Sequence, residues 1–362
     1  MSAPDNHELA VIIPTRGRVS KLRACLGRLA AQDLRPESGW EVLVVLDGPD
    51  PESDACAREF AKADSRGTGS ERHRLNLRVV QGPGTGLSTT KNLGIRSTNA
   101  RIVLFINDDV LPTAGFIRAH VEAHREGRIG PAMVLGHSPW VVHEPDTLFD
   151  RLIRETSMIF FYDQMISPTG EVKRPADHDW GFRHAWNINL SIPRESVLSV
   201  GGFSESITSY GYEDLELAWR LSKRLGGAGL PVLFRPAARA HHDHRYTPKA
   251  YLEREFHLGR CALPFAKAHP GCARDIFGRD LTSAAEIEYA RQFVEHESWA
   301  ETRLRDGYDA LERVPASTVD GPWVARITSS LLSELMWLKR LQFRRGFLEA
   351  VRAEAESTSR AA

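Results

Sequence analysis

The sequence predicts an α/β fold, a mostly parallel sheet flanked by helices with a helical C-terminal extension. Two observations carry this. Over the first third, short apolar runs alternate with amphipathic helical segments, and after Pro248 the pattern is almost wholly helical. Alternation of that kind produces βαβ units with parallel strands. Leu9–Ile13 is rich in β-branched residues and stops at the turn cluster Pro14-Thr15-Arg16-Gly17, after which Val19, Leu22, Leu26 and Leu29 recur at helical spacing. Glu41–Leu46 is the second strand, closed by Asp47-Gly48-Pro49, and Pro51 opens the next helix. Leu77–Val80 is the third strand, followed by glycines and a helix near 88–97. Arg101–Ile106 is the fourth, apolar throughout after Arg101, as for a strand covered on both faces.

The middle of the chain is less regular. Strands are expected near Met133–Gly136 and Pro231–Phe234, and helices near Thr147–Tyr162, Arg194–Val200 and Asp214–Leu225. Ser167–Trp180, rich in Pro, Gly and charge, reads as an exposed loop. The expected organisation is one unit over 1–260, with halves at about 1–130 and 131–260, followed by a helical extension over 261–362.

Composition bounds the function. Lys plus Arg and Asp plus Glu are 47 each in 362 residues, so no basic excess points to nucleic acid. The four cysteines are too scattered for a zinc or redox pair or a disulfide scaffold. The polar N-terminus has no secretory pattern, and no apolar run reaches about 18 residues. A cytoplasmic protein is expected, with at most a peripheral contact at the inner face of the membrane.

In an open parallel sheet, ligands bind beyond the carboxyl ends of the strands. Thr15 and Arg16, Asp47, and Asn107-Asp108-Asp109 all follow strands in this way. Adjacent carboxylates at a buried strand end are costly unless a cation lies between them. Mg²⁺ or Mn²⁺ carrying a phosphate suits hard oxygen ligands. The alternative is that Asp108 and Asp109 cap a helix starting near Thr113.

Several segments, in order, resemble the inverting family-2 glycosyltransferases of the GT-A fold. They are Val11-Ile-Ile-Pro-Thr-Arg, Val44-Val-Leu-Asp47-Gly, Gly86-Leu-Ser-Thr-Thr-Lys91-Asn92-Leu-Gly94-Ile and Leu104-Phe-Ile-Asn-Asp108-Asp109 with Pro112. The second half adds Asn187-Ile-Asn189-Leu-Ser-Ile-Pro-Arg, Gly201-Gly202-Phe203 and Tyr212-Glu213-Asp214-Leu-Glu216-Leu. The likeness covers about residues 8–260. It implies donor contacts from Pro14, Thr15 and Arg16, a base contact from Asp47, and Lys91 near the base or pyrophosphate. It further implies a D-x-D element at Asn107-Asp108-Asp109, with Asp109 the principal metal ligand and Asp108 near ribose or metal. Asp214 corresponds to the catalytic base, with Glu213 beside it, and His242 to a histidine completing the metal or pyrophosphate shell. Asn107 stands where Asp is commoner and Lys91 where Arg is, which removes the bidentate fork. The Gln-x-x-Arg-Trp motif of processive synthases is absent, so single-sugar, hexosyl-type transfer is implied.

The resulting expectation is metal-dependent inverting transfer from a nucleoside-diphosphate sugar, UDP first, to a hydroxyl on a glycan, lipid, peptide or small metabolite. A non-catalytic nucleotide-sugar or carbohydrate-binding module and a nucleotidyltransferase are the alternatives. The second would need a Gly-rich phosphate loop after the first strand, and Pro14-Thr15-Arg16-Gly17-Arg18 is too short for one. Glu213-Asp214 could simply open a helix. Gly82-Pro-Gly84-Thr-Gly86 holds Thr89 where a dinucleotide fingerprint needs its third glycine. In His241-His242-Asp243-His244, an extended backbone would put His242 and His244 on one face for zinc; a single histidine serving the donor site is the simpler arrangement. Trp140, Trp180, Trp186, Tyr210 and Tyr212 are candidates for acceptor stacking. The C-terminal stripe Ile327, Leu331, Leu335, Leu338 and Leu341 can pack internally or form a homodimer. With Lys339, Arg340, Arg344 and Arg345 beside Trp337 and Phe347, it can instead rest on an anionic membrane surface.

Overall fold

The computed structural model describes residues 7–35, 39–62, 74–126, 130–208, 211–223 and 229–361. These divide into two compact units, one of residues 1–141 and 164–244, the other of 142–163 and 245–362. The division falls at 244/245 rather than 260, and the second unit takes in the early segment 142–163. Tyr210 lies outside the described residues.

The first unit is built in chain order from β1 (Leu9–Thr15), α1 (Val19–Leu29), β2 (Trp40–Leu46), α2 (Pro51–Lys62), β3 (Leu77–Gln81), α3 (Leu87–Arg96), β4 (Ile102–Ile106), β5 (Val110–Pro112), α4 (Phe116–Arg125) and β6 (Met133–His137). The excursion into the second unit holds α5 (Leu148–Glu155), and α6 (Tyr162–Met165) leads back out of it. The first unit then resumes with β7 (Asn189–Pro193), α7 (Arg194–Ser199), α8 (Glu213–Ser222) and β8 (Val232–His242). One eight-stranded sheet runs in the order β3-β2-β1-β4-β7-β6-β8-β5. It is mixed: β7 enters antiparallel between β4 and β6, and β5 pairs antiparallel with β8. Every residue of β1, β2 and β4 is buried, whereas the edge strand β3 is only partly so, which matches its mixed composition. Gly94 lets α3 lie directly on the sheet, since a Cβ there would come within 2.6 Å of the Ile12 side chain.

Three expectations change. The strands β5 and β7 carry no sequence period long enough to announce them. The helix expected over 147–162 stops at Glu155, where Thr156 turns extended and its hydroxyl bonds back to the Leu152 carbonyl, an option that hydroxyl side chains offer against helix continuation. And β8 runs on to His242.

A buried polar chain ties α4 to the sheet. His124 Nε2 donates to the Ser191 hydroxyl (2.8 Å), which lies 2.9 Å from His120 Nδ1; His120 Nε2 donates to Asn189 Oδ1 (2.8 Å), and Asn189 Nδ2 donates to the Ala238 carbonyl (2.9 Å). The proton positions follow from satisfying every member with neutral rings.

The second unit is completed by α9 (Pro248–Ala268), α10 (Pro270–Phe277), α11 (Ala284–Ala310) and α12 (Val324–Ala361). Leu335, Leu338 and Leu341 of α12 are buried within it, while Ile327 is exposed. The cations proposed for a membrane surface are largely engaged inside the unit. Arg344 is buried, with its guanidinium over the Tyr289 and Phe293 rings, Arg345 pairs with Glu301, and Lys339 reaches the Met158 carbonyl and Glu255. Among the described residues the four cysteines form no disulfide, and no helix is long and apolar enough to cross a membrane.

Burial pushes the His120 imidazole down to about 3 and that of His124 to about 4. Both rings are therefore neutral when folded and protonated when unfolded below the ordinary value of about 6.5. Their contribution is complete above that value and is lost as pH falls towards 4. Urea unfolding should show about 2 kcal/mol less stability per buried histidine at pH 5 than at pH 7.5. In a His120→Gln variant that slope should diminish.

Candidate active site

The site gathers at the carboxyl ends of β1, β2 and β4. Pro14 and Thr15 are buried at the end of β1, whereas Arg16 is exposed. The Thr15 hydroxyl donates to Asp108 Oδ2 at 2.8 Å. Asp47, after β2, accepts the Gly86 N–H (3.2 Å) and the Thr90 hydroxyl (3.1 Å) on Oδ1, and faces Arg16 with Oδ2 at 3.8 Å. Asn107, Asp108 and Asp109 follow β4, and the carboxylates of both aspartates are only 3% exposed. The helix-cap alternative for this pair fails, because α4 starts at Phe116 with Gly115 as its cap residue.

Two features bring histidines to Asp109. Between the pairs Gly136–Arg235 and His137–Arg239, β8 carries three additional residues, Pro236, Ala237 and Ala238. Asn189 holds this bulge through the Ala238 carbonyl, and Gly136 makes room for it, since a Cβ there would lie 2.2 Å from that carbonyl. Beyond the bulge, β8 pairs with β5, placing His242 opposite Val110. His242 Nε2 then lies 3.5 Å from Asp109 Oδ1 and His244 Nδ1 3.5 Å from Oδ2. The rings of His242 and His244 stack at 5.7 Å, and Trp140 covers His242 at 4.3 Å. Asp109, His242 and His244 offer three ligand atoms within 4.8 Å of one another. Both histidines, and not one alone, thus lie against Asp109, and Trp140 packs against a candidate ligand.

The electrostatics suit a divalent ion. Burial would raise the Asp109 carboxyl, but His242, His244 and Arg18 more than offset it and hold the group well below the usual carboxylate range. Among the described residues, Asp109 Oδ1 is buried and accepts no hydrogen bond. Burial lowers the His242 imidazole, favouring the neutral form that ligates metals. Burial also pushes Asp108 up to about 6, against the opposing charge of Arg18. Arg18, whose role the sequence reading missed, bridges both carboxylates. Its signal was its place two residues after Arg16, in the same turn.

A second centre lies at the start of α8. Asp214 Oδ2 accepts the Asn187 N–H (3.0 Å), and Oδ1 accepts from Asn187 Nδ2 (3.3 Å) and Lys91 Nζ (3.2 Å). Its side chain remains 27% exposed, whereas Glu213 is buried and accepts Lys91 Nζ at 3.4 Å and the Gly211 N–H at 3.0 Å. Glu213 and Asp214 do open α8, as its first two residues, although the cap residue is Tyr212 and no side-chain cap bond forms. Lys91 is buried, with both carboxylates at its ammonium and the Phe203 ring 5.0 Å away. Its ammonium is thus committed to Glu213 and Asp214. Burial works against its charge, but Asp214 and Glu213 outweigh that and raise the ammonium. Burial, then the Asp214 charge, pushes Glu213 upward. Asn92 clamps the neighbouring loop through the Phe203 backbone, donating to its carbonyl and accepting its N–H.

Removing one member of a buried charge cluster strands the others. Lys91→Met should lower the unfolding free energy by about 3–5 kcal/mol. Adding Glu213→Gln should restore part of it, as read from urea midpoints of the single and double variants.

A validoxylamine A glucosyltransferase from Streptomyces hygroscopicus subsp. limoneus is 27% identical over 81% of this chain and 63% of its own length. A pre-mycofactocin glycosyltransferase from Mycobacterium tuberculosis is 25% identical over 74% of this chain and 50% of its own length. The chain therefore spans between half and two thirds of these relatives. The fold also matches a mannosyltransferase from Pyrobaculum calidifontis, described in complex with GDP-Man and Mn²⁺, at a TM-score of 0.53 and 16% identity, covering 96% of this chain and 89% of that one. Residues 10–190, half of the chain, match the family described as Glycosyl transferase family 2, and the protein is a member of that family.

Proposed function

We propose that the protein is a metal-dependent inverting glycosyltransferase that moves one hexose per turnover from a nucleoside-diphosphate sugar to an acceptor hydroxyl. The carrying observation is the cluster of Asp109, His242 and His244 beside Asp108, in the same unit as a partly exposed carboxylate, Asp214, with an oriented set of donors. A divalent ion bound there, Mn²⁺ or Mg²⁺, would supply Lewis-acid neutralisation of the departing diphosphate. Asp109, His242 and His244 would hold it.

Asp214 takes the proton of the acceptor hydroxyl as that oxygen bonds to the anomeric carbon and the nucleoside diphosphate leaves from the opposite face. The Asn187 backbone N–H fixes one carboxylate oxygen and Lys91 the other. Asp47, at the end of β2 beside Arg16, is the candidate contact for the base, with Pro14, Thr15 and Asn107 around the nucleoside. UDP is the first donor nucleotide to test, and glucose the first sugar, following the name of the relative from Streptomyces. The acceptor is an open class, and transfer without polymerisation follows from the missing processive motif.

Thermal shift with Mn²⁺ and a panel of UDP and GDP sugars should give stabilisation by one donor, and Asp109→Ala should abolish it. Release of nucleoside diphosphate should fall about a thousandfold in Asp214→Asn with the donor-induced shift retained. Donor binding without any release of nucleoside diphosphate would instead identify a binding module. No stabilisation by any donor would overturn the proposal.

A further inference from the structure

Arg18 has no part in the reading above, yet it occupies the mouth of the metal centre. Its Nη1 lies 2.9 Å from Asp108 Oδ1, and its Nη2 pairs with Asp109 Oδ2. The carboxylates it spans are 3% exposed, whereas its own side chain is 40% exposed. The guanidinium therefore sits on the solvent side of two buried acids. Its backbone is anchored, because the Arg18 carbonyl accepts the Leu22 N–H at 3.0 Å as α1 begins. Any displacement belongs to the side chain alone.

The turn before it shows how two arginines serve two acidic ends. Gly17, at φ +64°, lies between Arg16 and Arg18, and its N–H is held by Asp50 Oδ2 at 2.7 Å. A left-handed residue there reverses the chain direction locally. Arg16 consequently faces Asp47, and Arg18 faces Asp108 and Asp109.

Charge decides what Arg18 can do when a metal enters. Two carboxylates and one guanidinium sum to −1, and a divalent ion takes the sum to +1. At a few ångströms in a partly buried site the ion and the guanidinium repel strongly. Both also compete for the same oxygens, since Asp109 Oδ2 faces Arg18 and His244 together. A diphosphate dianion returns the sum to −1 and gives the guanidinium a bidentate partner of the kind it prefers.

We propose that Arg18 is an exchange ligand: its guanidinium holds the cation position between Asp108 and Asp109 in the metal-free protein, and moves onto the nucleoside diphosphate when the divalent ion binds. This rests on the reading of Asp109, His242 and His244 as a metal centre. It gives Arg18 opposite effects on the two ligands. Metal binding displaces it, and nucleotide binding recruits it. Metal and nucleotide thereby become positively coupled, since either favours the side-chain position the other needs.

The test measures Mn²⁺ binding by the electron paramagnetic resonance signal of the unbound ion, and UDP and GDP binding by calorimetry at saturating Mn²⁺. Wild type, Arg18→Gln and Arg18→Lys are compared, with thermal melts to establish that each is folded. Without nucleotide, Arg18→Gln should bind Mn²⁺ about tenfold more tightly; with Mn²⁺ saturating, it should bind the nucleotide recognised by wild type about tenfold more weakly. Arg18→Lys, which keeps the charge but cannot span both acids, should fall between on both axes. Unchanged or weaker Mn²⁺ binding in folded Arg18→Gln, or unchanged nucleotide binding, would overturn the inference. A wild type that binds no Mn²⁺ with either nucleotide present would overturn the metal centre itself, and this inference with it.

Discussion

Two carboxylates buried side by side at the end of β4 are the constraint around which the rest of the first unit is arranged. Asp108 and Asp109 cannot both remain ionised in a buried pocket without compensation. The protein supplies it from several distant parts of the chain. Thr15 arrives from the first strand, Arg18 from the turn after it, and His242 and His244 from the last strand. Each of these contacts fixes a piece of topology. The parallel pairing of β1 with β4 sets Thr15 beside Asp108, and the antiparallel pairing of β5 with β8 delivers the histidines. The need to compensate a buried charge in the first unit thus selects among arrangements that the apolar strands alone would permit.

The second charged centre solves the same problem differently. Glu213 and Asp214 share Lys91, which is itself buried. The pair is asymmetric. Glu213 is enclosed, whereas Asp214 keeps a quarter of its side chain open and has its oxygens aimed by Asn187. One carboxylate is thereby enclosed with the ammonium and the other keeps part of its surface open, a division that lets a buried lysine and an accessible carboxylate coexist.

Much of this was legible in the sequence, and the divide between legible and hidden follows contact order. The βαβ alternation, the strand ends carrying Asp47 and Asp108-Asp109, and the helical extension rest on local periodicity, which single segments display. Hidden were features that need two distant segments at once. Three short residues of β5 have no period of their own, and become a strand only because β8 lies alongside. Lys91 reads as a generic cation until Glu213 and Asp214, more than a hundred positions later, close over it. His244 was visible as a candidate only if the chain stayed extended past His242, which depends on the bulge. Arg344 looked like a surface charge, and its burial over two rings of α11 could be found only by packing α11 against α12.

That bulge has a wider meaning. The half of β8 before Pro236 is in register with β6, and the half from Arg239 onward follows a separate register that ends at His242. Because side chains alternate faces along a strand, losing or gaining one residue within Pro236–Ala238 would turn His242 away from Asp109 while leaving the earlier half undisturbed. The short irregular stretch is therefore a phase adjuster. It lets the hydrophobic framework drift in sequence and in strand length under its own packing rules, with the reactive end kept in step by the parity of three residues.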